Sequence, residues 1–415
     1  MQLRKTVNFY TGLFAGAVFI MIVSRILVLT GNYNWFIDPV SLEIIYIVAM
    51  FAIVLVSSRG YLAIQKGQYL TVLGILLVHT LLWGLVFVDS KMTEVVTTHF
   101  KSQIMFVVIL CVTIWASKQL AAERLLLECA YYALGLVMLT QLVTHFSEVD
   151  LSNLANIFTA KDRTRANFGF GHYNALGTSC VCLLVLMDFL SKRPRSKGKK
   201  ALDVLFAVMA VVMLLCSASR SAITGLMLYY VMYYSTRLDH WRVSPTTIRV
   251  LKGIRALVIV FLLVWAVFGF DVDAFLTVAQ RTHLATQTLP MFFDTGKVLL
   301  GLGFASNSAY AEGLTPYITY WMDNAYVYYL VATGFAGLTL LLAALLLIGL
   351  PIFKRRKTKE GAAVFSTLAV YAYISLFETT LFNSGGLVNY IYLPWFIFAM
   401  SDNLFFIDEP SPDKK

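Results

Sequence analysis

Between the basic runs Lys192–Lys200 and Arg237–Arg255 lies a long apolar stretch, Ala201–Thr236, and its length decides what this part of the chain can become. As one helix it would measure roughly 54 Å, nearly twice the hydrocarbon core of a bilayer. With positive charge on both flanks, the stretch must turn back on itself. The turn is expected at Ser217-Ala218-Ser219-Arg220-Ser221, where polar residues interrupt it. Arg220 would then lie at, or just beneath, the surface opposite the basic runs, a costly position for a cation without solvent or a partner.

The same argument extends along the chain. Hydrophobic residues make up 59% of the sequence and charged residues 13%, far below the roughly 25% charged composition of soluble domains. The apolar runs are too long for barrel strands of about ten residues, and only helices or closed barrels satisfy their backbone groups in lipid. The expected fold is an all-α integral membrane protein, a single polytopic domain over 1–415. About twelve spans are expected, near residues 9–29, 40–57, 69–88, 102–117, 125–144, 174–190, 201–217, 221–236, 256–270, 325–350, 361–380 and 386–401.

If both termini are cytoplasmic, all but nine of the 33 Lys and Arg residues fall on the inside; the exceptions are Arg25, Lys91, Lys101, Lys161, Arg163, Arg165, Arg220, Arg281 and Lys297. That bias is the positive-inside signal. It also accounts for the basic runs, which cap apolar spans and give no reason to expect nucleic acid; contact with anionic lipid headgroups is a secondary reading. The first span imitates a signal peptide but lacks a small-residue cleavage site and contains Arg25, so a retained helix is expected. The five cysteines all fall inside predicted spans, which suggests neither a disulfide framework nor a metal site. No cofactor is implied.

Two long outer loops remain, 145–173 and 271–323. The first carries Arg163, Arg165 and the glycine-rich Gly169-Phe170-Gly171-His172-Tyr173-Asn174 segment; the second carries Arg281, Gly301-Leu302-Gly303, Tyr320, Trp321 and Asp323-Asn324. Arginines that survive on the side the positive-inside rule depletes are candidates for binding an anion, and guanidinium groups suit phosphate oxygens through bidentate, permanently charged contacts. Glycines before a helix N-terminus permit close backbone approach and leave amides free for anions. Tyr320 and Trp321 present faces on which sugar rings stack, or belong to the interfacial aromatic belt. Each feature has a plainer explanation. The first loop can be a solvated connection, Asp323 a helix N-cap, Gly334 and Gly337 helix packing sites, Glu378 a solvated residue at the end of the eleventh span, and His79 a hydrogen-bonded core histidine.

Asp323-Asn324, nine residues, then Gly334-Phe335-Ala336-Gly337 resembles the His-Asn-x9-Gly-x-x-Gly signature of the bacterial O-antigen ligase and polysaccharide polymerase superfamily, with Asp in place of His. Arg165 with Gly169 and Asn174-Ala175-Leu176, Ser219-Arg220-Ser221-Ala222, and Arg281 with Leu299-Leu300-Gly301-Leu302-Gly303 resemble three further patterns of that family, in the same order. The likeness covers roughly residues 160 to 340 in detail.

The resemblance implies a GT-C-like glycosyltransferase bundle with two functional external loops. It implies transfer of glycan from a polyprenyl diphosphate-linked oligosaccharide to a hydroxyl, without metal, on the outer face of a bacterial cytoplasmic membrane. A chain-length regulator and a flippase are the implied protein partners, and membrane lipids the surroundings. Ligases of the family look defined by the histidine, so Asp323 favours a polymerase of capsular, exopolysaccharide or O-antigen repeat units.

In that reading Arg165, Arg220 and Arg281, with Arg163 behind them, stabilise the leaving diphosphate. Asp323 or His172 takes the proton of the attacking hydroxyl, and Asn174, Tyr320, Trp321, Asn324 and Glu378 hold the substrate. The alternatives are a ligase acting on a lipid or protein acceptor and, in a different class, a lipid-linked oligosaccharide transporter, for which ionisable groups at mid-membrane and discontinuous helices are expected.

Overall fold

The computed structural model describes residues 2–30, 39–58, 67–85, 93–152, 164–237, 287–311 and 322–401, with isolated positions between them. Every regular element among these is a helix: α1 (Gln2–Leu29), α2 (Pro39–Ser57), α3 (Gln68–Leu85), α4 (Thr93–Gln119), α5 (Glu123–Thr144), α6 (Tyr173–Ser191), α7 (Lys197–Ser217), α8 (Arg220–Thr236), the short α9 (Leu289–Asp294) and α10 (Asn307–Ala311), α11 (Ala325–Lys354), α12 (Lys359–Ile374) and α13 (Asn389–Ser401). Helix therefore occupies all or most of every predicted span except 256–270, which apart from Leu257 lies outside the described residues. Among the described residues, six helices are long and apolar enough to cross a membrane: Phe9–Leu29, Glu94–Gln119, Glu123–Thr144, Tyr173–Ser191, Lys197–Ser217 and Ala325–Lys354.

The apolar residues that face outward say the same. Ile20, Val48, Val204 and Leu346 are each about 60% exposed, which fits lipid and not water. At the centre runs α13, whose described side chains from Asn389 to Met400 are all buried, as expected of a helix apolar on every side. It touches α3, α4, α5, α11 and α12. Outside it, α8 packs on α12, α6 on α7 and α8, and α1 on α2 and α5. Arg25 is satisfied inside the bundle, paired with Glu43 and with its guanidinium 4.6 Å from the centre of the Tyr390 ring.

The chain turns back where its sequence demands. α7 ends at Ser217, Ala218 takes a left-handed conformation (φ 46), and Ser219 is the extended N-cap position from which Arg220 opens α8. An L-residue there costs roughly 1–2 kcal/mol. Ala218→Gly should therefore leave the fold unchanged and raise its stability by about 0.5–1 kcal/mol, read as a higher thermal midpoint of the detergent-solubilised protein.

Two expectations need correction. The helix of the eleventh predicted span, α12, stops at Ile374, so Glu378 does not sit on a span; it belongs to an irregular segment leading to α13. α11 is not continuous either. Gly334 has φ 66 and ψ −173, which breaks the helix after Thr333. The break is filled by the Leu-Gly-Leu-Gly segment: Leu302 N and Gly303 N donate to Val331 O and Ala332 O at 2.8 and 3.1 Å, while Phe335 N and Ala336 N donate to Val298 O and Leu299 O, both at 3.0 Å. Trp83 Nε1 adds a bond to Leu300 O at 2.8 Å. The two glycine motifs are thus partners. Backbone groups freed by the break find acceptors and donors within protein, the only arrangement tolerated at membrane depth.

Candidate functional site

The site forms at the ends of α5, α6, α7 and α11. At the start of α6, His172 is the N-cap, its Nδ1 accepting the Asn174 amide at 3.3 Å. The Asn174 side chain reaches the other helical turn, where Ser219 Oγ donates to Asn174 Oδ1 at 3.0 Å. Close approach of α6 and α8 requires Gly177: a Cβ there would lie 2.8 Å from the Ser219 Cβ and 2.9 Å from the Ala222 Cβ. Next to Ser219, Arg220 is half-buried and donates from Nε to Ile157 O at 2.7 Å.

Arg165 lies in the loop before α6 with its guanidinium 4.1 Å from the centre of the Tyr173 ring, which in turn lies 4.2 Å from the His172 ring. The loop is anchored at Ala166 N to Cys216 O (3.0 Å). It is also anchored by Glu148, whose Oε2 accepts the amides of Asn167 and Phe168 at 3.1 and 2.7 Å. Phe168 and Gly169 both have positive φ, and a Cβ on Gly169 would lie 2.6 Å from His145 and 2.7 Å from Gln141. Gly169 is therefore structural, setting the path that brings Arg165 beside Tyr173.

Asp323 comes from far along the chain to the same place. Protein packed around the His172 ring lowers its pKa below the usual histidine value; the Asp323 carboxylate opposes this and the Arg165 guanidinium adds to it, so both charges act at His172. The imidazole is neutral near pH 7. Since Nδ1 accepts the capping bond, the ring proton of the neutral form sits on Nε2, leaving His172 no lone pair free to act as a base without breaking its cap. Desolvation lowers the Arg165 pKa, which Tyr173 opposes, though a guanidinium stays charged throughout the physiological range. Among the described residues no carboxylate forms an ion pair with Arg165.

The N-cap of α11 is Asn324: its Oδ1 accepts the amides of Tyr326 and Val327 at 2.9 and 3.1 Å. This replaces the plainer explanation for Asp323, because the capping position belongs to its neighbour. It also commits the Asn324 carbonyl to the helix, so any contact with substrate must come from elsewhere on that side chain. Asn307, a residue the sequence did not single out, fixes the segment on the other side, its Oδ1 accepting Met322 N at 2.9 Å.

Beside the first turn of α6 is a cavity of about 190 Å³ lined by Leu29, Ala175, Thr178, Ser179 and parts of the irregular segment before α13, Glu378 to Thr380, Asn383 and Gly385 to Val388. It is smaller than the roughly 300–1,000 Å³ of most small-molecule pockets and accommodates one small group. Its polar lining is hydroxyl, amide and carboxylate, with no cation, which suits a neutral hydroxylated group and not a phosphate. The wall is built. Asn389 Nδ2 donates to Thr380 O and to Asn383 O, Tyr371 Oη donates to Asn389 Oδ1 at 2.8 Å, and Gln103 bonds Phe382 O and Ser384 N at 2.7 and 3.0 Å. None of Asn383, Asn389 and Gln103 stood out in the sequence, where isolated amides in apolar helices were the only signal.

The structure therefore brings together Arg165, His172, Asn174, Arg220 and Asp323 at one end of the bundle, with Glu378 in the adjoining cavity. Arg163, Arg281, Tyr320 and Trp321 lie outside the described residues. His79 is buried, stacked on Trp83 at 5.0 Å and edge-on to Phe304 and Tyr329, and its Nε2 has no hydrogen-bond partner among the described residues. It is a core residue packed by aromatic rings, and the hydrogen bond expected of it is missing at Nε2. No group of His, Cys, Asp and Glu among the described residues is arranged to hold a metal ion. No protein-family model matches the chain, and no curated protein matches it.

Proposed function

We propose that this protein is a polysaccharide polymerase acting on the outer face of the cytoplasmic membrane, joining a lipid diphosphate-linked glycan to a sugar hydroxyl, with the twelve spans that the apolar runs imply and the cytoplasmic termini that the charge bias implies. The observation that carries the reading is the stacking of Arg165 on Tyr173 beside His172, where the Asp323 charge is also felt, on the end of the bundle opposite the basic runs.

In this reading the diphosphate of the donor lies against Arg165 and Arg220, with Arg281 from the second loop as a third cation, and its developing charge is stabilised as the glycosidic bond to phosphate breaks. One preorganised donor of this kind supplies about 10²–10³ in rate. The acceptor hydroxyl is placed near Asp323, which takes its proton as the new bond forms. The cation-free cavity beside α6 holds a hydroxylated part of a sugar through Glu378, Thr178 and Asn383, which supplies orientation. The reaction needs no nucleotide sugar.

The discontinuity in α11 favours the transporter alternative, since broken helices mark many transporter sites. Against it, the break is sealed by backbone hydrogen bonds to Val298–Gly303, so its polar groups are engaged with protein and not offered to a substrate. A ligase differs only in acceptor.

The test is direct. Purified protein is incubated with one lipid diphosphate-linked repeat unit and the products are sized on a gel. Arg165→Ala and Arg220→Ala should each reduce long products by about 10²-fold or more while the protein still accumulates in the membrane. Normal ladders in both variants would end the proposal. Transfer of preformed polymer to a second acceptor, without elongation, would replace it by the ligase reading.

A further inference from the structure

At the other end of the bundle the basic run after α6 is folded into a second cavity, of about 350 Å³, lined by Arg124, Glu128, Arg193, Arg195, Ser196 and Lys199 together with Leu190 and Pro194. Four cations and one carboxylate face this space. A run that serves only to orient the chain needs no tertiary arrangement. Here three guanidinium groups are gathered closely enough that Arg193 and Arg195 both act electrostatically on Arg124.

Carboxylates and carbonyls behind the cavity hold the cations in place. Arg193 Nε pairs with Glu360 Oε1 at 3.0 Å, Arg195 pairs with Asp203 at 2.9 Å and donates to Tyr132 Oη at 2.7 Å, and Arg124 donates to Leu190 O at 3.2 Å. The Arg193 bond leaves from the stem of the fork, so its two terminal nitrogens remain for a ligand. Lys199, 45% exposed along its side chain, pairs with Glu128 at 3.0 Å at the rim. Ser196 caps α7, accepting the Lys199 amide at 3.4 Å, and the first amides of this long helix add positive potential at the same point.

We propose that this cavity binds a phosphate-bearing anion, and that the phosphate of an anionic membrane lipid is the favoured source. Four cations meet three carboxylates here, since Glu128 and Glu360 also lie 3.9 and 4.0 Å from Arg124, so the cluster keeps a net positive charge for an anion, and a fork matches phosphate oxygens. The lipid source follows from position. The cavity sits where three helices long and apolar enough to cross a membrane, α5, α6 and α7, have their ends, the depth at which headgroups lie. Directly above it α7 turns Leu202, Val204, Leu205 and Val208 outward, each at least 40% exposed, a face along which an acyl chain can run. The site is separated from the Asn174 cluster by the whole of α6, roughly 28 Å, and stands whether or not the proposed glycan reaction does.

The full-length protein in uncharged detergent would be titrated with phosphatidylglycerol, phosphatidylcholine or sodium phosphate at constant ionic strength, following its thermal midpoint. Phosphatidylglycerol should raise the midpoint saturably and phosphatidylcholine should not. Lys199→Ala should raise the half-saturating concentration roughly three- to tenfold, the range between an exposed ion pair and a charge-assisted hydrogen bond. Lys101→Ala, which removes the same charge from exposed surface on α4, should leave it unchanged. A saturable response to sodium phosphate with the same Lys199 dependence would support the site and assign it to a soluble phosphate compound. Equal responses to the two lipids without a phosphate response, or equal effects of the two lysine variants, would overturn it.

Discussion

In the proposed reaction, Asp323→Asn should reduce glycan elongation by about 10²–10⁴-fold, the contribution of a positioned general base, while the N-cap of α11 stays in place. The second half of that expectation is structural. Asp323 does not cap α11, because Asn324 does, and Met322 is held by Asn307. Removing the carboxylate's charge therefore leaves that cap and the Met322 anchor in place. His172 provides the contrast. Its Nδ1 accepts the Asn174 amide, so Asn, a strong capping residue, can replace it structurally, and His172→Asn should cost less than about tenfold in rate, well short of the base contribution. Elongation assays on the two purified variants, with thermal midpoints beside them, decide the matter. Full activity in Asp323→Asn, or a larger loss in His172→Asn, would transfer the proton to another acceptor.

Gly334→Ala should damage the fold severely, by roughly 2–6 kcal/mol. The backbone at φ 66 and ψ −173 is a region reserved in practice for glycine, costing about 1–3 kcal/mol for other residues. An added Cβ would overlap the Leu299 carbonyl and lie 2.6 Å from Gly301 N; overpacking adds about 1–3 kcal/mol. The neighbours are backbone, held by four hydrogen bonds, and have no rotamer into which to retreat. Against a total stability of about 5–15 kcal/mol, the variant should be lost largely to aggregation on size-exclusion chromatography. Gly349→Ala, farther along the same helix, is the control. Its Cβ would meet Leu368 at 3.5 Å, an ordinary contact, and alanine favours helix by about 1 kcal/mol. Equal behaviour of the two variants would contradict the sealed break.

The two glycine motifs illustrate where sequence reasoning stops. Gly301-Leu302-Gly303 and Gly334-Phe335-Ala336-Gly337 could each be noticed, but their spacing along the chain carries no sign that one fills the gap in the other. Helix periodicity reads a continuous apolar run as one helix, and Gly334 within such a run is consistent with simple packing. Its conformation is set by what approaches it from another segment. The same holds for Asn307, Gln103 and Asn389, whose amides mean nothing until the backbone they brace is in place, and for Glu378, which an apolar run carried onto a span that in fact ends at Ile374.

Some of the site was legible. The turn at Ser217–Ser221 followed from length and flanking charge; Arg165 and Arg220 stood out as cations on the depleted side and His172 for its titration range, while Asp323 and Asn174 drew their roles from the family resemblance. The sequence by itself determined that the chain is a bundle of apolar helices and where those helices turn, because hydrophobic length and the placement of basic residues act locally along the chain. Only the tertiary structure decided that Asn324 and not Asp323 caps α11, that His172 spends its lone pair on a helix, and that the basic run after α6 closes around a cavity. Each of those depends on which group arrives first at a shared amide or carboxylate, and that is fixed by distances in space that one-dimensional spacing does not contain.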